Sequence, residues 1–201
     1  MEHQPRTQVD RTAATRGALV TAARALFGAR GFAAVGTEEV VRAAGVSRGA
    51  LYHHFTDKTE LFAAVFEAVE RELSASIGEL MAASGVTDPV AALGVGVEAW
   101  LDACTEPEVQ RIVLLDAPSV LGWERFREIG MRYGVGLVEG VLTAAMQSGQ
   151  LAPRPVRPLA HLLIGALDEA ALYVTRSADP AAARVEVQAT LAALVSGLRA
   201  D

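Results

Sequence analysis

Five side chains within an eleven-residue stretch can offer positive charge or hydrogen-bond donors: Arg48, Tyr52, His53, His54 and Lys58. Arginine can donate a bidentate pair to guanine N7 and O6. Gly49 and Ala50, next to it, are small enough for backbone and methyl to lie against base edges or a thymine methyl. Tyr52 and His54 can donate to phosphate oxygens, and His53 can reach a base edge or a phosphate. Thr37 places a hydroxyl at a helix start, and Lys58 places an ammonium at another; helix starts hold anions through their free N–H groups. Together these residue types suit recognition of a polyanion better than bond-making chemistry.

The elements that must position them are short. The segment TEEVVRAAGVSRGALYHHFTDKTEL, from Thr37 to Leu61, reads as two short helices joined by a turn at Ala44-Gly45-Val46 and followed by a third helix. Thr37 is the expected N-cap of the first, with Glu38 and Glu39 facing its positive end. Ser47 is the expected cap of the second. Asp57 with Glu60 reads as an acidic capping box for the third. An earlier helix over 11–30 carries a stripe of Leu19, Ala22, Ala23, Leu26 and Phe27, and Gly31 stops it. Leu26, Phe27, Phe32, Val40, Val41, Val46, Leu51 and Phe55 are the anchors of a small three-helix core. This is a helix-turn-helix, which sets one helix into the major groove.

The segment resembles the DNA-binding domain of the TetR family of bacterial transcriptional regulators. The resemblance covers about residues 11–66 and rests on Ala44-Gly45-Val46, Leu51-Tyr52-His53-His54-Phe55 and Lys58. It implies that Thr37, Tyr52, His54 and Lys58 hold phosphates, that Arg48, Gly49, Ala50 and His53 face bases, and that Ser47 stands with them at the DNA surface. The chain departs from the family pattern at His54, where tyrosine is common; imidazole keeps the donor and adds pH dependence.

Two other readings compete. Gly45-Val46-Ser47-Arg48-Gly49 matches the nucleophile elbow of α/β-hydrolases, but that motif needs a preceding strand, and a helix precedes it here. Ser47 therefore reads as a helix cap, and no enzyme is expected. His53 and His54 as metal ligands fail on geometry, because adjacent helical residues point about 100° apart. No metal or cofactor is expected. A helical interaction module that no longer meets DNA is the other alternative.

Composition sets the frame. The chain has 201 residues, of which 51% are hydrophobic and 21% charged, enough to build a sizeable core. No apolar run reaches the roughly 18 residues a membrane span needs, and no signal-peptide core is present near the start. The single cysteine, Cys104, excludes an internal disulfide framework and fits the cytoplasm. The net charge of −6 is unevenly shared: residues 1–58 carry +3 and the remainder −9. A basic head on an acidic body suits a protein that meets phosphate at one end only.

The expected architecture is all-α, with about nine helices. Residues 1–56 form the DNA-binding domain and 57–201 a larger ligand-binding and dimerisation bundle. Beyond a long helix ending before Gly85, helices are expected over 89–104, 107–116, 122–148, 156–176 and 180–199, with Pro107, Pro118, Gly122, Gly149, Pro153, Pro155 and Pro158 as breakers. Within this apolar region, Trp100, Trp123, Phe126, Arg132, Tyr133, His161, Asp168, Glu169 and Tyr173 supply aromatic or polar groups. Apolar walls with a few such groups make a small-molecule pocket. Trp100, Trp123, Phe126, Tyr133, His161, Asp168 and Tyr173 are the candidate ligand contacts. Gly130, Gly134, Gly136 and Gly140 in one helix permit close packing or leave room for a ligand. Val187, Leu191, Leu194, Val195 and Leu198 form a stripe on the last helix, with too little chain after it for cover, and are the candidate dimer contacts. The expectation is a homodimeric repressor on a palindromic double-stranded operator, released by a small apolar or amphipathic effector and not associated with membranes.

Overall fold

Helices account for most of residues 8–199, the part of the chain that the computed structural model describes. Glu2 and Arg6, counted above in the basic head, and the outer ends of the two expected domains lie outside it. The first three helices are α1 (Gln8–Arg30), α2 (Thr37–Ala44) and α3 (Arg48–His54). The long α4 (Lys58–Ala83) leads to α5 (Pro89–Ala103). A composite rod follows, made of α6 (Pro107–Val109), a π-helical segment (Gln110–Asp116) and α7 (Ala117–Leu121). Then come α8 (Trp123–Gln147), α9 (Val156–Arg176) and α10 (Pro180–Ser196). Among the described residues there is no strand, only an isolated bridge between Leu151 and Arg199.

The starts and stops follow local chemistry, with three corrections. Asp57, Asp88 and Asp179 each accept a backbone N–H of the first turn of α4, α5 and α10. The N-cap of α2 is Gly36, not Thr37, which is the first helical residue; the Glu39 carboxylate accepts the Gly36 N–H at 3.3 Å and so closes the start. The rod does not stop before Pro118 but runs through it to Leu121. Proline lacks the N–H and crowds the carbonyl four residues back. Here the backbone widens just before it, with Ala117 N–H donating to Ile112 O, five residues back, and the proline enters at the start of α7. The last helix ends at Ser196, and Leu198 O accepts from Ala152 N–H at 3.0 Å.

One continuous core joins the first three helices to the bundle. Leu19, Ala23 and Phe27 of α1 pack with Val40, Leu51 and Phe55, and with Leu61, Phe62, Val65, Phe66 and Val69 of α4. Ile112, Val113 and Leu114 of the rod and Phe126 and Ile129 of α8 complete it. Phe27, Phe32 and Phe62 form an aromatic triad with ring centroids 5.2–5.7 Å apart. A smaller cluster of Leu142, Ala145, Leu151 and Ala160 closes the far end. Between these two clusters α4, α5, α8, α9 and α10 surround a hollow.

Candidate nucleic-acid interface and ligand cavity

The turn between α2 and α3 depends on Gly45. Its φ of +66° lies in the left-handed region, where a side chain is strained. Gly45 N–H reaches Arg42 O and Val46 N–H reaches Val41 O, the paired bonds of a Schellman stop. Ser47 then caps α3, its Oγ accepting Ala50 N–H at 3.2 Å. Leu51 is fully buried, which fixes the roll of α3 and turns Arg48, Gly49, Tyr52 and His53 to solvent. Ala50 and His54 are half-buried at the margin, as is Thr37.

Arg48 is engaged with Glu38 at 2.7 Å, and its guanidinium lies 5.6 Å from the Tyr52 ring centroid. Both charged side chains of this pair are about two-thirds exposed, at 66% and 70%. Such a pair contributes under about 1 kcal/mol, so Arg48 can exchange Glu38 for a base at little cost. Lys58 is placed differently. Its Nζ donates to Phe32 O at 2.8 Å and to Val35 O at 2.9 Å, and sits 4.0 Å from the Phe32 ring centroid. It clamps the α1–α2 loop as well as standing at the start of α4. Partial burial, with repulsion from His53 and Arg16, holds the His54 imidazole below the usual histidine range, so it is neutral at pH 7. Arg16, not singled out in the sequence, stacks on Phe55 at 5.2 Å. An isolated arginine in the first helix carried no signal for this.

The hollow in the bundle has a volume of about 600 Å³. Its walls are apolar, with Leu73, Ile77, Leu93, Val97, Leu137 and Leu163 among them. Among its polar groups are Glu70 of α4, Arg127 of α8 and Asp168 of α9. Arg127 Nη1 donates to Asp168 Oδ2 at 2.6 Å. Burial pushes the Asp168 carboxyl up to about 6, with Arg127 opposing the shift. Burial pushes Glu70 to about 7, reinforced by Asp168 and opposed by Arg127. Glu98, Ala192, Ser196 and Arg199 line the hollow and are also exposed, which marks a mouth between α5 and α10.

Of the seven candidate ligand contacts, Trp100, Phe126 and Asp168 line this cavity. Trp100 is oriented by its Nε1–H donating to Leu167 O at 3.2 Å. The other four lie elsewhere. Trp123 is 69% exposed beside Arg127. Tyr133 donates to Glu67 at 2.8 Å, on the side of α8 that faces α4. His161 and Tyr173 are on the exposed face of α9, as is Glu169. Arg132 pairs with Glu67 and Glu128. Glu70 and Arg127 were missed because both sit in helices with many charges, where only three-dimensional placement separates an inward charge from an outward one.

The stripe on α10 is largely covered by this chain itself. Leu191 and Val195 line the cavity, Val187 packs on the main core, and Leu198 packs on the far cluster. Only Leu194 of the five is exposed, at 55%. Its cover comes from α5 and α9, earlier in the chain.

Residues 19–65 match the model of the tetR family of bacterial regulatory proteins, and residues 90–198 match that of the tetracyclin repressor-like C-terminal domain. The chain belongs to the TetR family. It is 28% identical to the transposon Tn10 TetC protein of Escherichia coli over 75% of each chain. A TetR-family transcriptional regulator from Pectobacterium atrosepticum superimposes with a TM-score of 0.82 at 32% identity, covering 98% of this chain and 99% of the other. RolR, in a structure with the ligand resorcinol, shares the fold with a TM-score of 0.75 at 17% identity, over 93% and 90% of the two chains. As a TetR-family protein the chain is a helix-turn-helix transcriptional regulator and not an enzyme. TetR-family regulators bind DNA and small-molecule ligands, and no helix among the described residues is long and apolar enough to cross a membrane.

In this TetR-family chain the rod from Pro107 to Leu121 touches both ends. Val113 lines the cavity. Glu108 accepts from Arg24 Nε and Nη2, both at 2.9 Å, a bidentate tie to α1. Asp116 accepts Phe32 N–H at 2.7 Å in the loop that Lys58 clamps. Arg24 also pairs with Glu72 of α4. A further tie joins Arg125, at the start of α8, to Glu60 at 2.5 and 2.8 Å.

Proposed function

We propose that this regulator is a cytoplasmic homodimeric repressor of a palindromic operator, released when a small amphipathic molecule enters the cavity. In this reading residues 1–56 meet DNA and residues 57–201 bind the effector and pair the two copies. Arg48 reads a base edge, with Gly49, Ala50 and His53 against the groove floor. Thr37, Ser47, Tyr52, His54 and Lys58 fix the register on phosphates. Leu194, with Leu162, Tyr173 and Val185 exposed on α9 and α10, supplies apolar surface for pairing.

The observation that carries the proposal is the shared rod. The same short segment contributes Val113 to the cavity wall and Glu108 and Asp116 to the ties on α1 and the α1–α2 loop. An effector that binds more tightly to a shifted rod position shifts the population of recognition-helix spacings. No contact between effector and DNA is needed.

Selection of bound sequences from a randomised duplex pool tests this. The expected product is a pseudo-palindrome with half-sites about one helical turn apart. Arg48→Ala should relax preference at one base pair, and Lys58→Ala should weaken all sequences alike. Retention of no duplex at low salt, or retention unchanged by both substitutions, overturns the proposal.

A further inference from the structure

Glu70 stands out within the cavity. Among the described residues no backbone or side-chain group donates a hydrogen bond to its carboxylate, and it has no ion-pair partner. It is half-buried and borders the hollow from α4. Asp168 borders the same hollow from α9, with Arg127 of α8 as its partner at 2.6 Å. A half-buried carboxylate on the wall of an apolar hollow, with no protein donor of its own, is open to a partner brought by a ligand. Two carboxylates against one guanidinium leave the polar end of the cavity one unit negative when both are ionised. The rings of Trp100 and Phe126 line the same space. An aromatic face attracts a cation within about 6 Å of its centroid.

We infer that the effector is a hydrophobic monocation, an amine or ammonium whose charged head sits between Glu70 and Asp168 and whose apolar body lies along Leu73, Leu93, Leu137 and Leu163. This inference rests on the reading of the cavity as the effector site and adds the sign of the charge. A carboxylate ligand would bring a third negative charge to an arginine already engaged. A neutral alcohol could donate to Glu70 but would leave its charge uncompensated. The groups facing Glu70 are Asp168 from α9 and Arg127 from α8, and Cys104 at the end of α5 is also close enough to interact. Burial pushes the Cys104 thiol far up, so it contributes no charge. Cation binding therefore strengthens as pH rises and the two carboxyl groups ionise, Asp168 near 6 and Glu70 near 7.

A matched series tests this by calorimetry on the full chain: phenylbutylamine, phenylbutanol and phenylbutyrate at about pH 8, where both carboxyl groups are ionised. The amine should bind at least about tenfold more tightly than the alcohol, and the butyrate more weakly than either. Glu70→Gln keeps the shape and removes the charge. In that variant the preference for the amine over the alcohol should fall to about threefold or less, and continued binding of the alcohol reports an intact cavity. If the alcohol or butyrate binds as tightly as the amine, or if the preference survives Glu70→Gln, the cation inference is overturned and the effector site stands. If none of the three binds, both are overturned.

Discussion

At the DNA-reading end Arg48 and Lys58 already have partners within the chain, whereas at the cavity Glu70 has no hydrogen-bond or ion-pair partner among the described residues. The reading end is also solid, with Leu51, Phe27 and Phe62 fully buried, while the bundle encloses about 600 Å³ of space. These are opposite solutions to one problem. A surface that meets a long polyanion keeps Arg48 solvated and exchangeable, and its geometry comes from the packed helices beneath and from the Lys58 clamp. A site that encloses a small molecule needs an unfilled volume and a polar group left unmatched. The first region is packed throughout, and the second keeps open volume.

The largest expected effect tests the solid-versus-hollow contrast. Phe62→Ala removes the ring that meets Phe27 and Phe32, and should cost about 3–5 kcal/mol in urea unfolding. Leu163→Ala, on the cavity wall, already faces empty space on one side and should cost roughly 1–2 kcal/mol, below the usual range for a packed leucine. Equal costs would mean that the cavity is collapsed in solution.

Charge at the reading end comes next. Arg48→Ala should lose about 1–3 kcal/mol of affinity for the preferred operator and leave unfolding stability nearly unchanged, because its partner Glu38 is exposed. Lys58→Ala should lower both. Its ammonium bonds two carbonyls, and hydrogen bonds to a charged group contribute about 1.5–3 kcal/mol each. Parallel gel-shift and urea measurements separate the two. A Lys58 variant of unchanged stability would mean that Lys58 does not hold the α1–α2 loop in place.

How far the sequence disclosed these two regions follows from the same contrast. The reading head was legible because its chemistry is local: Gly45, Ser47, Arg48 and Lys58 act within one short segment, and their spacing alone defines the turn and caps. Even there, Lys58 reaching back to Phe32 and Val35 was not visible, because that contact depends on how the α1–α2 loop folds over α4. The cavity draws single residues from α4, α5, α8, α9 and α10. Asp168 was found because it interrupts an apolar helix, and Trp123 was misplaced because an aromatic at a helix start looks the same whether it points in or out. Glu70, the most informative residue of the cavity, sits among Glu67, Arg71 and Glu72, and only its placement distinguishes it.

Filling the hollow should separate the two regions functionally. Gly134 lines the cavity, and a Cβ there meets no atom within 4 Å. Gly134→Trp should abolish effector-induced release while operator affinity without effector stays within about twofold, since nothing at the reading head is touched. Release that persists in this variant would place the effector elsewhere.

The acid response tests the unmatched carboxylate. Glu70 is raised from its ordinary value to about 7. The folded state therefore holds this proton at pH values where the unfolded chain has released it. Between about 4.5 and 7 the folded state binds more protons, so stability contributed by this group falls as pH rises. Asp168 adds the same sign over the range from about 4 to 6. Glu70→Gln should flatten the upper part of the profile and raise stability at pH 8 relative to the parent chain, read as the urea midpoint. A profile unchanged by the substitution would mean that Glu70 is solvated and ordinary.

The smallest effect contrasts glycines. Gly45 sits at φ +66°, so Gly45→Ala strains the turn that sets α3 and should destabilise by about 1 kcal/mol. Gly136 and Gly140 lie in α8 with no positive φ, and an added Cβ meets nothing within 4 Å. Close helix packing does not require them, and alanine at either should stabilise by about 0.5–1 kcal/mol through helix propensity alone. Gly130 and Gly134 share that backbone, but they border the cavity, and at Gly130 the added Cβ would come within 3.9 Å of the Glu70 carboxylate. Alanine there should stabilise by about the same amount, yet alter effector affinity, whereas the Gly136 and Gly140 variants should not. If all four variants changed effector affinity alike, flexibility of α8 rather than the volume left beside Glu70 would be what these glycines supply.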